Sequence, residues 1–203
     1  MLEIKRSYDS YKWENGTPLL FVTIAEKAAL IEELIKQVLD SKYKYDLLVS
    51  IGQSGIPLGV IFSKVLDIPH AIFRAKAYNE SLTNQSGTKH QVIVAKHSLF
   101  IDQKKNFTSL PYNLSHFYEN VLVVDHLIDS GDSITAVIED IQARHPGNNL
   151  FHTACLWRKS WSKYKANYVG MIEYPEPLTG IMPWIVEPDE VLIKKLREKI
   201  NLN

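Results

Sequence analysis

The run Leu47-Leu48-Val49-Ser50-Ile51 is apolar on both alternating sets of its positions. A strand with one wetted face alternates, so a run of this kind must be covered on both sides, as in a parallel sheet between layers of helices. The rest of the chain follows that lead. Residues 25–40 repeat apolar side chains at helical spacing (Ala28, Ile31, Leu34, Ile35, Val38, Leu39), with Glu32, Glu33 and Lys36 outside. Gly52-Gln53-Ser54-Gly55 reads as a turn, and Pro57 can open a helix that runs to about Leu66. Further strands are expected at residues 71–73, 91–95, 121–124, 151–157 and 168–172. Residues 133–144 should form a helix, and Asp189 should cap a last one through Lys199. Strands that alternate with helices define an α/β fold with an open, mostly parallel twisted sheet flanked by helices.

Composition narrows the function classes. The 203 residues hold 45% hydrophobic and 23% charged side chains, the balance of a folded globular chain, and no linker or repeat divides it, so residues 1–203 are expected to form a single domain. Lys plus Arg equals Asp plus Glu at 23 each, whereas a general polyanion binder carries a basic excess; nucleic acid is not an expected partner. The one cysteine, Cys155, lies in an apolar run, where burial is expected. The first residues lack the apolar core of a secretion signal, and no apolar run approaches the roughly 20 residues that span a bilayer. A cytoplasmic location without membrane contact is therefore expected. The sequons Asn15-Gly16-Thr17 and Asn113-Leu114-Ser115 then carry no meaning.

Chemistry concentrates after the strand at residues 121–124, in Asp125-His126-Leu127-Ile128-Asp129-Ser130-Gly131-Asp132-Ser133. Ligands of open α/β sheets bind beyond the carboxyl ends of the strands. Ser130-Gly131-Asp132-Ser133 begins a helix, whose free N–H groups and positive dipole end attract an anion. Gly131 permits a close approach or a positive φ, and the two serines add hydroxyl donors. Asp125 and Asp129, four apart, could aim both carboxylates into one cleft through a bent turn. The plainer alternative is a helix start capped by Asp129 or Ser130, with no ligand. No Gly-x-x-x-x-Gly-Lys-Ser/Thr run is present, and Leu127 stands where an aspartyl-nucleophile phosphatase wants an acid. Residues 76–90, polar and holding Asn79, Asn84, Ser86 and Gly87, read as an active-site loop or a surface hairpin.

The segment from Val121 to Ser133 resembles the diphosphate-sugar signature of the type I phosphoribosyltransferases. Tyr45-Asp46 through Ile56-Pro57 looks like that family's pyrophosphate loop, and the run to Ile68-Pro69-His70 is similar to the bacterial 6-oxopurine enzymes. Trp184-Ile185-Val186-Glu187-Pro188 resembles the hood segment that stacks the base, which would form from the N-terminal segment and about 173–203.

What the resemblance implies is specific. Ser130, Gly131, Asp132 and Ser133 would surround a 5′-phosphate, and Asp125 and His126 would meet the ribose hydroxyls, Asp125 also a magnesium ion. Asp129 would stand by the attacking purine nitrogen. Gly52, Gln53, Ser54 and Gly55 would hold pyrophosphate, Lys159 a 6-oxo group, and Trp184 with Ile185 the base. Tyr78 and Lys89 would be the contacts of a flexible loop. Phosphoribosyl diphosphate and a purine base are the implied partners, with a homodimer as the assembly. Three positions depart from the pattern: His126 replaces a second acid, Asp132 sets a negative charge beside the phosphate, and Gln53 stands for a frequent basic residue. They leave a sensing regulator on the same fold as the alternative to a purine phosphoribosyltransferase. Lys159, Trp184 and His126 also have plain readings, as a solvated basic face and as packed residues.

Overall fold

The computed structural model describes residues 11–78, 91–94, 99–101, 108–109, 118–144 and 149–200. The central sheet is built from β3 (Leu47–Ile51), β4 (His70–Phe73), β7 (Leu99–Ile101), β8 (Thr108–Ser109), β9 (Asn120–Ile128), β10 (Leu150–Lys159) and β11 (Tyr168–Glu173). Its order is β11-β10-β9-β3-β4-β7-β8; the first five strands are parallel, and β7 and β8 are antiparallel. Every residue of β3 is buried, as its lack of alternation requires.

Helices cover both faces. Helix α1 (Ile24–Asp40) starts in a capping box: Glu26 N–H donates to Thr23 Oγ1 at 3.1 Å, and Thr23 N–H to Glu26 Oε2 at 2.7 Å. Its buried Leu30, Leu34 and Val38 join Leu58 and Phe62 of α2 (Gly52–Leu66) in a core against Leu48, Leu122 and Leu156. Ile134, Val137 and Ile141 of α3 (Asp132–Arg144) fill the other side, against Val49, Val121 and Val123. Cys155 is fully buried there, and burial pushes its thiol far up, so it is inert packing. Among the described residues, no helix is long and apolar enough to cross a membrane.

Several sequence expectations need correction. Gly52-Gln53-Ser54-Gly55 is no separate turn but the first turn of α2, which begins five residues before Pro57. A positive φ of 64° at Gly52 lets the chain leave β3 directly into the helix. Strand β9 does not stop at Val124; it continues to Ile128, because Asp125, Leu127 and Ile128 face β10 along an unbroken parallel register. Residues 91–94 (β6, Gln91–Val94) are not a strand of the main sheet. They pair antiparallel with β5 (Ala75–Tyr78), so the expected loop begins as a ribbon; residues 79–90 with Lys89 lie outside the described residues. Helix α4 (Pro188–Lys199) has Glu187, not Asp189, at its N-cap, with Pro188 opening the helix.

A second, three-stranded sheet stands apart: β1 (Tyr11–Glu14), β2 (Thr17–Phe21) and β12 (Trp184–Val186), in the order β1-β2-β12. The β1–β2 hairpin turns at Asn15 and Gly16, both at positive φ (50° and 78°), as a two-residue hairpin loop demands. Helix α4 follows β12 and is tied to α1 by Lys27, whose Nζ lies 2.8 Å from Glu187 Oε2 and 3.2 Å from Asp189 Oδ1.

Candidate active site

The carboxyl ends of β3, β9 and β10 form one edge, and the candidate residues collect there. Parallel pairing sets Arg158 opposite Ile128. The next residues, Lys159 at the last position of β10 and Asp129 just past β9, therefore stand side by side, and Lys159 Nζ comes within 2.8 Å of Asp129 Oδ2. The pair is asymmetric: the Lys159 side chain is 8% exposed and that of Asp129 52%. A second donor, Trp161 Nε1, reaches Asp129 Oδ1 at 2.7 Å, and the Lys159 ammonium lies 5.2 Å from the Trp161 ring centroid. Both oxygens of one half-exposed carboxylate are thus held by the end of β10 and the segment that follows it.

That segment moulds the whole turn. Ser162 Oγ donates to Ser130 O at 3.2 Å. Gly131 has a φ of 99°, and a Cβ there would collide with Tyr164 Cβ. Both reasons for a glycine apply, but the close approach comes from Tyr164 behind the turn. Helix α3 starts at once: Asp132 N–H donates to Ser130 Oγ at 3.2 Å, and Thr135 N–H to Gly131 O at 3.1 Å. Ser130 therefore acts as a cap for one N–H, while Asp132 and Ser133 occupy the first turn, where helix geometry directs N–H groups outward along the axis.

Asp125 and Asp129 are not drawn together by a bent turn. Four residue steps of extended chain separate them, on the order of 13 Å along the strand, because β9 runs on to Ile128. Asp125 meets the first turn of α2 instead. A Cβ on Gly55 would stand 3.3 Å from Val124 O and 3.7 Å from Asp125 Oδ1, so the glycine lets the helix start lie on the strand. Gly52, Gln53, Ser54 and Gly55 are thereby brought beside Asp125, with Gln53 and Ser54 exposed. Asp125 itself is buried, and its Oδ1 accepts the His126 N–H at 2.7 Å.

His126 links the strand end to the smaller sheet. Its burial lowers the imidazole pKa, but the hydrogen bond and charge of Asp125, with the charges of Glu187 and Glu190, outweigh this and raise it above the usual value. Burial and the charge of Glu187 raise the Glu190 carboxyl above its usual value. Trp184 of β12 is 55% exposed, while Ile185 is 7% exposed and belongs to the core. Of the sequence candidates, Tyr78 sits at the end of β5 and Lys89 lies outside the described residues. Trp161, Ser162 and Tyr164 were not among the sequence candidates; Trp161 and Ser162, two and three residues past Lys159, carry no local motif.

The phosphoribosyl transferase domain matches residues 21–176. The chain belongs to that family. Among curated relatives, a hypoxanthine/guanine phosphoribosyltransferase of Aciduliprofundum boonei is 27% identical over 128 residues, 63% of this chain and 60% of its own. The transcriptional regulator GfcR of Methanococcoides burtonii is 26% identical over 114 residues, 56% of this chain and 46% of its own. The chain thus spans about half of the length of one of these relatives and three fifths of the other. Two solved structures share the fold. The purine phosphoribosyltransferase from Pyrococcus horikoshii superposes with a TM-score of 0.59 at 20% identity, over 84% of this chain and 93% of its own. The xanthine-guanine-hypoxanthine enzyme of Helicobacter pylori gives 0.59 at 24% identity, over 88% and 97%. The expected α/β sheet of phosphoribosyltransferase type is therefore the fold of this chain.

Proposed function

We propose that this chain is a purine phosphoribosyltransferase, which joins a purine base, a 6-oxopurine by preference, to the ribose of phosphoribosyl diphosphate and releases pyrophosphate. The observation that carries the reading is the Lys159–Asp129 pair at the tip of β9, beside the start of α3. It supplies a cation that suits a 6-oxo group and a carboxylate that suits the adjacent ring nitrogen, next to a helix start suited to a phosphate. The likeness to the A. boonei hypoxanthine/guanine phosphoribosyltransferase, over 60% of that relative, supports the class.

In this reading the base nitrogen attacks the ribose carbon as the bond to pyrophosphate breaks. Ser130, Gly131, Asp132 and Ser133 hold the 5′-phosphate, and Gln53 and Ser54 with the α2 N–H groups hold the pyrophosphate. Positive charge grows on the ribose carbon between the Asp125 and Asp129 carboxylates, which lower its energy. The proton of the attacking nitrogen passes to Asp129, whose two oxygens are held in place by Lys159 and Trp161. Trp184, half exposed on β12, offers its ring face to the base. The three-stranded sheet with α4 acts as the hood, within one domain that pairs as a homodimer in the cytoplasm.

Magnesium fits this site only as a guest of the substrate. Among the described residues, no three His, Cys, Asp or Glu side chains gather to cage a metal. Asp125 is the carboxylate available, and diphosphate oxygens would complete the shell. When bound, the ion would neutralise charge on the leaving group.

The test is pyrophosphate release by the purified chain with phosphoribosyl diphosphate, magnesium and, in turn, hypoxanthine, guanine, xanthine, adenine and uracil. Turnover with the 6-oxopurines is expected; none with any base would overturn the reading. A sensing regulator is the second reading, favoured by the likeness to GfcR and by His126 and Asp132 in acid and neutral positions. Binding of phosphoribosyl diphosphate without turnover would select it.

A further inference from the structure

We infer that Trp161 is a positioning residue: its indole N–H holds the Asp129 carboxylate in place once Lys159 turns to the base. The inference rests on the transferase reading and adds to it a residue that no motif marks. Its basis is a difference between the two donors on Asp129. Lys159 has a flexible four-carbon stem and three rotatable donors, so it can leave Oδ2 for a new acceptor at little cost. The indole has one N–H and no acceptor, and that single donor points at Oδ1 from 2.7 Å.

The carboxylate needs such a hold. Asp129 lies just past the end of β9, where the ladder no longer fixes the chain, and its side chain is 52% exposed. If a 6-oxo group draws the ammonium away, the carboxylate loses one of its two donors at the moment it must face the attacking nitrogen. Trp161 then remains as its anchor. The backbone that carries the indole is fastened independently of Lys159, since Ser162, the next residue, donates to Ser130 O. The segment 159–164 therefore carries the base-side cation, the anchor of the carboxylate and the wedge behind Gly131 in six residues.

Two variants and one spectrum test this. Trp161→Phe keeps a ring face for Lys159 and removes only the N–H. It should lower kcat about tenfold, as loss of a hydrogen bond to a charged group implies, with KM for phosphoribosyl diphosphate within about twofold. The melting temperature should stay unchanged, because the ring is half exposed. A wild-type kcat, or equal losses in kcat, KM and melting temperature, would overturn the inference. The second arm needs no turnover. The chain has four tryptophans, so a ¹⁵N spectrum has four indole N–H signals, and the one missing in Trp161→Phe belongs to Trp161. In Asp129→Ala that signal should move upfield as the bond is lost. If it stays, Trp161 does not hold Asp129. Should the wild type show no turnover, the transferase reading falls, and the indole arm alone decides the contact.

Discussion

Replacing Lys159 by methionine separates a functional ion pair from a structural one. The lysine side chain is 8% exposed, so its ammonium gives up most of its hydration, and it recovers that through one carboxylate that is itself half in water. A pair of this kind contributes little net stability, and an apolar side chain of similar length in its place is neutral or stabilising. Asp129, once alone, keeps the Trp161 hydrogen bond and solvent, so no uncompensated buried charge is left behind. Stability should therefore change by less than about 1 kcal/mol, or roughly 2–4 °C in Tm for a chain of this size. Activity should respond differently. The hydrogen bond to a 6-oxo group is charge-assisted and worth about 1.5–3 kcal/mol, so kcat/KM with hypoxanthine or guanine should fall about 10- to 150-fold. Adenine has no 6-oxo group and serves as the control, since any activity with it should not fall. Thermal unfolding by circular dichroism and pyrophosphate release measured on the same preparation check both halves. A Tm loss above about 8 °C with unchanged kcat/KM would refute the reasoning, because the pair would then be holding the fold rather than a ligand.

Other perturbations follow from individual contacts. Gly131→Ala forces a Cβ to a φ of 99° and into Tyr164 Cβ, and should cost about 2–4 kcal/mol in urea denaturation. Tyr164→Ala should not rescue it, since the colliding atom remains. Asp132→Gly removes a charge on the order of 5 Å from the expected phosphate; at an effective dielectric near 20 the repulsion is about 3 kcal/mol before screening, so KM for phosphoribosyl diphosphate should fall about three- to tenfold. His70, buried with Nε2 2.7 Å from Ser50 Oγ, has its imidazole brought by burial from 6.5 down to about 4. The unfolded chain takes the proton first as pH falls, so stability is fully present above pH 6.5 and declines by about 3 kcal/mol on the way to pH 4. Urea midpoints at pH 7 and pH 4.5 measure this, and His70→Gln should flatten the slope.

The legible parts of the fold were those decided within a few residues. Leu30, Leu34 and Val38 mark the buried face of α1 at helical spacing, and β3 is apolar throughout because both its faces are covered. The Asn15-Gly16 pair is as local a signal as either. It sets the hairpin turn, yet as part of a glycosylation sequon its turn chemistry was easily passed over. Boundaries were less legible. The polar residues Asp125 and His126 look like the end of a strand, but β9 continues because β10 lies beside it to pair with. Residues 91–94 look like a core strand and instead meet β5 in a separate ribbon. In both cases the partner strand, not the local pattern, chose the outcome.

The candidate site divides along the same line. Local residues alone mark a helix start after Ser130-Gly131, acids at positions 125 and 129 ahead of it, and a resemblance to the phosphoribosyltransferases. Hydrogen bonding at a helix start and the freedom of a glycine are short-range properties, so they can be read from a few residues. Which side chains meet is set by contacts between distant parts of the chain. Lys159 meets Asp129 across 30 residues, Trp161 across 32, and Glu187 and Glu190 act on His126 from the far end of the chain. Those meetings depend on the register of β9 against β10 across the intervening helix α3, and on the packing that brings β12 and α4 beside the sheet edge. A slip of one residue would turn Lys159 to the other face of the sheet, and no local pattern in the sequence forbids that slip.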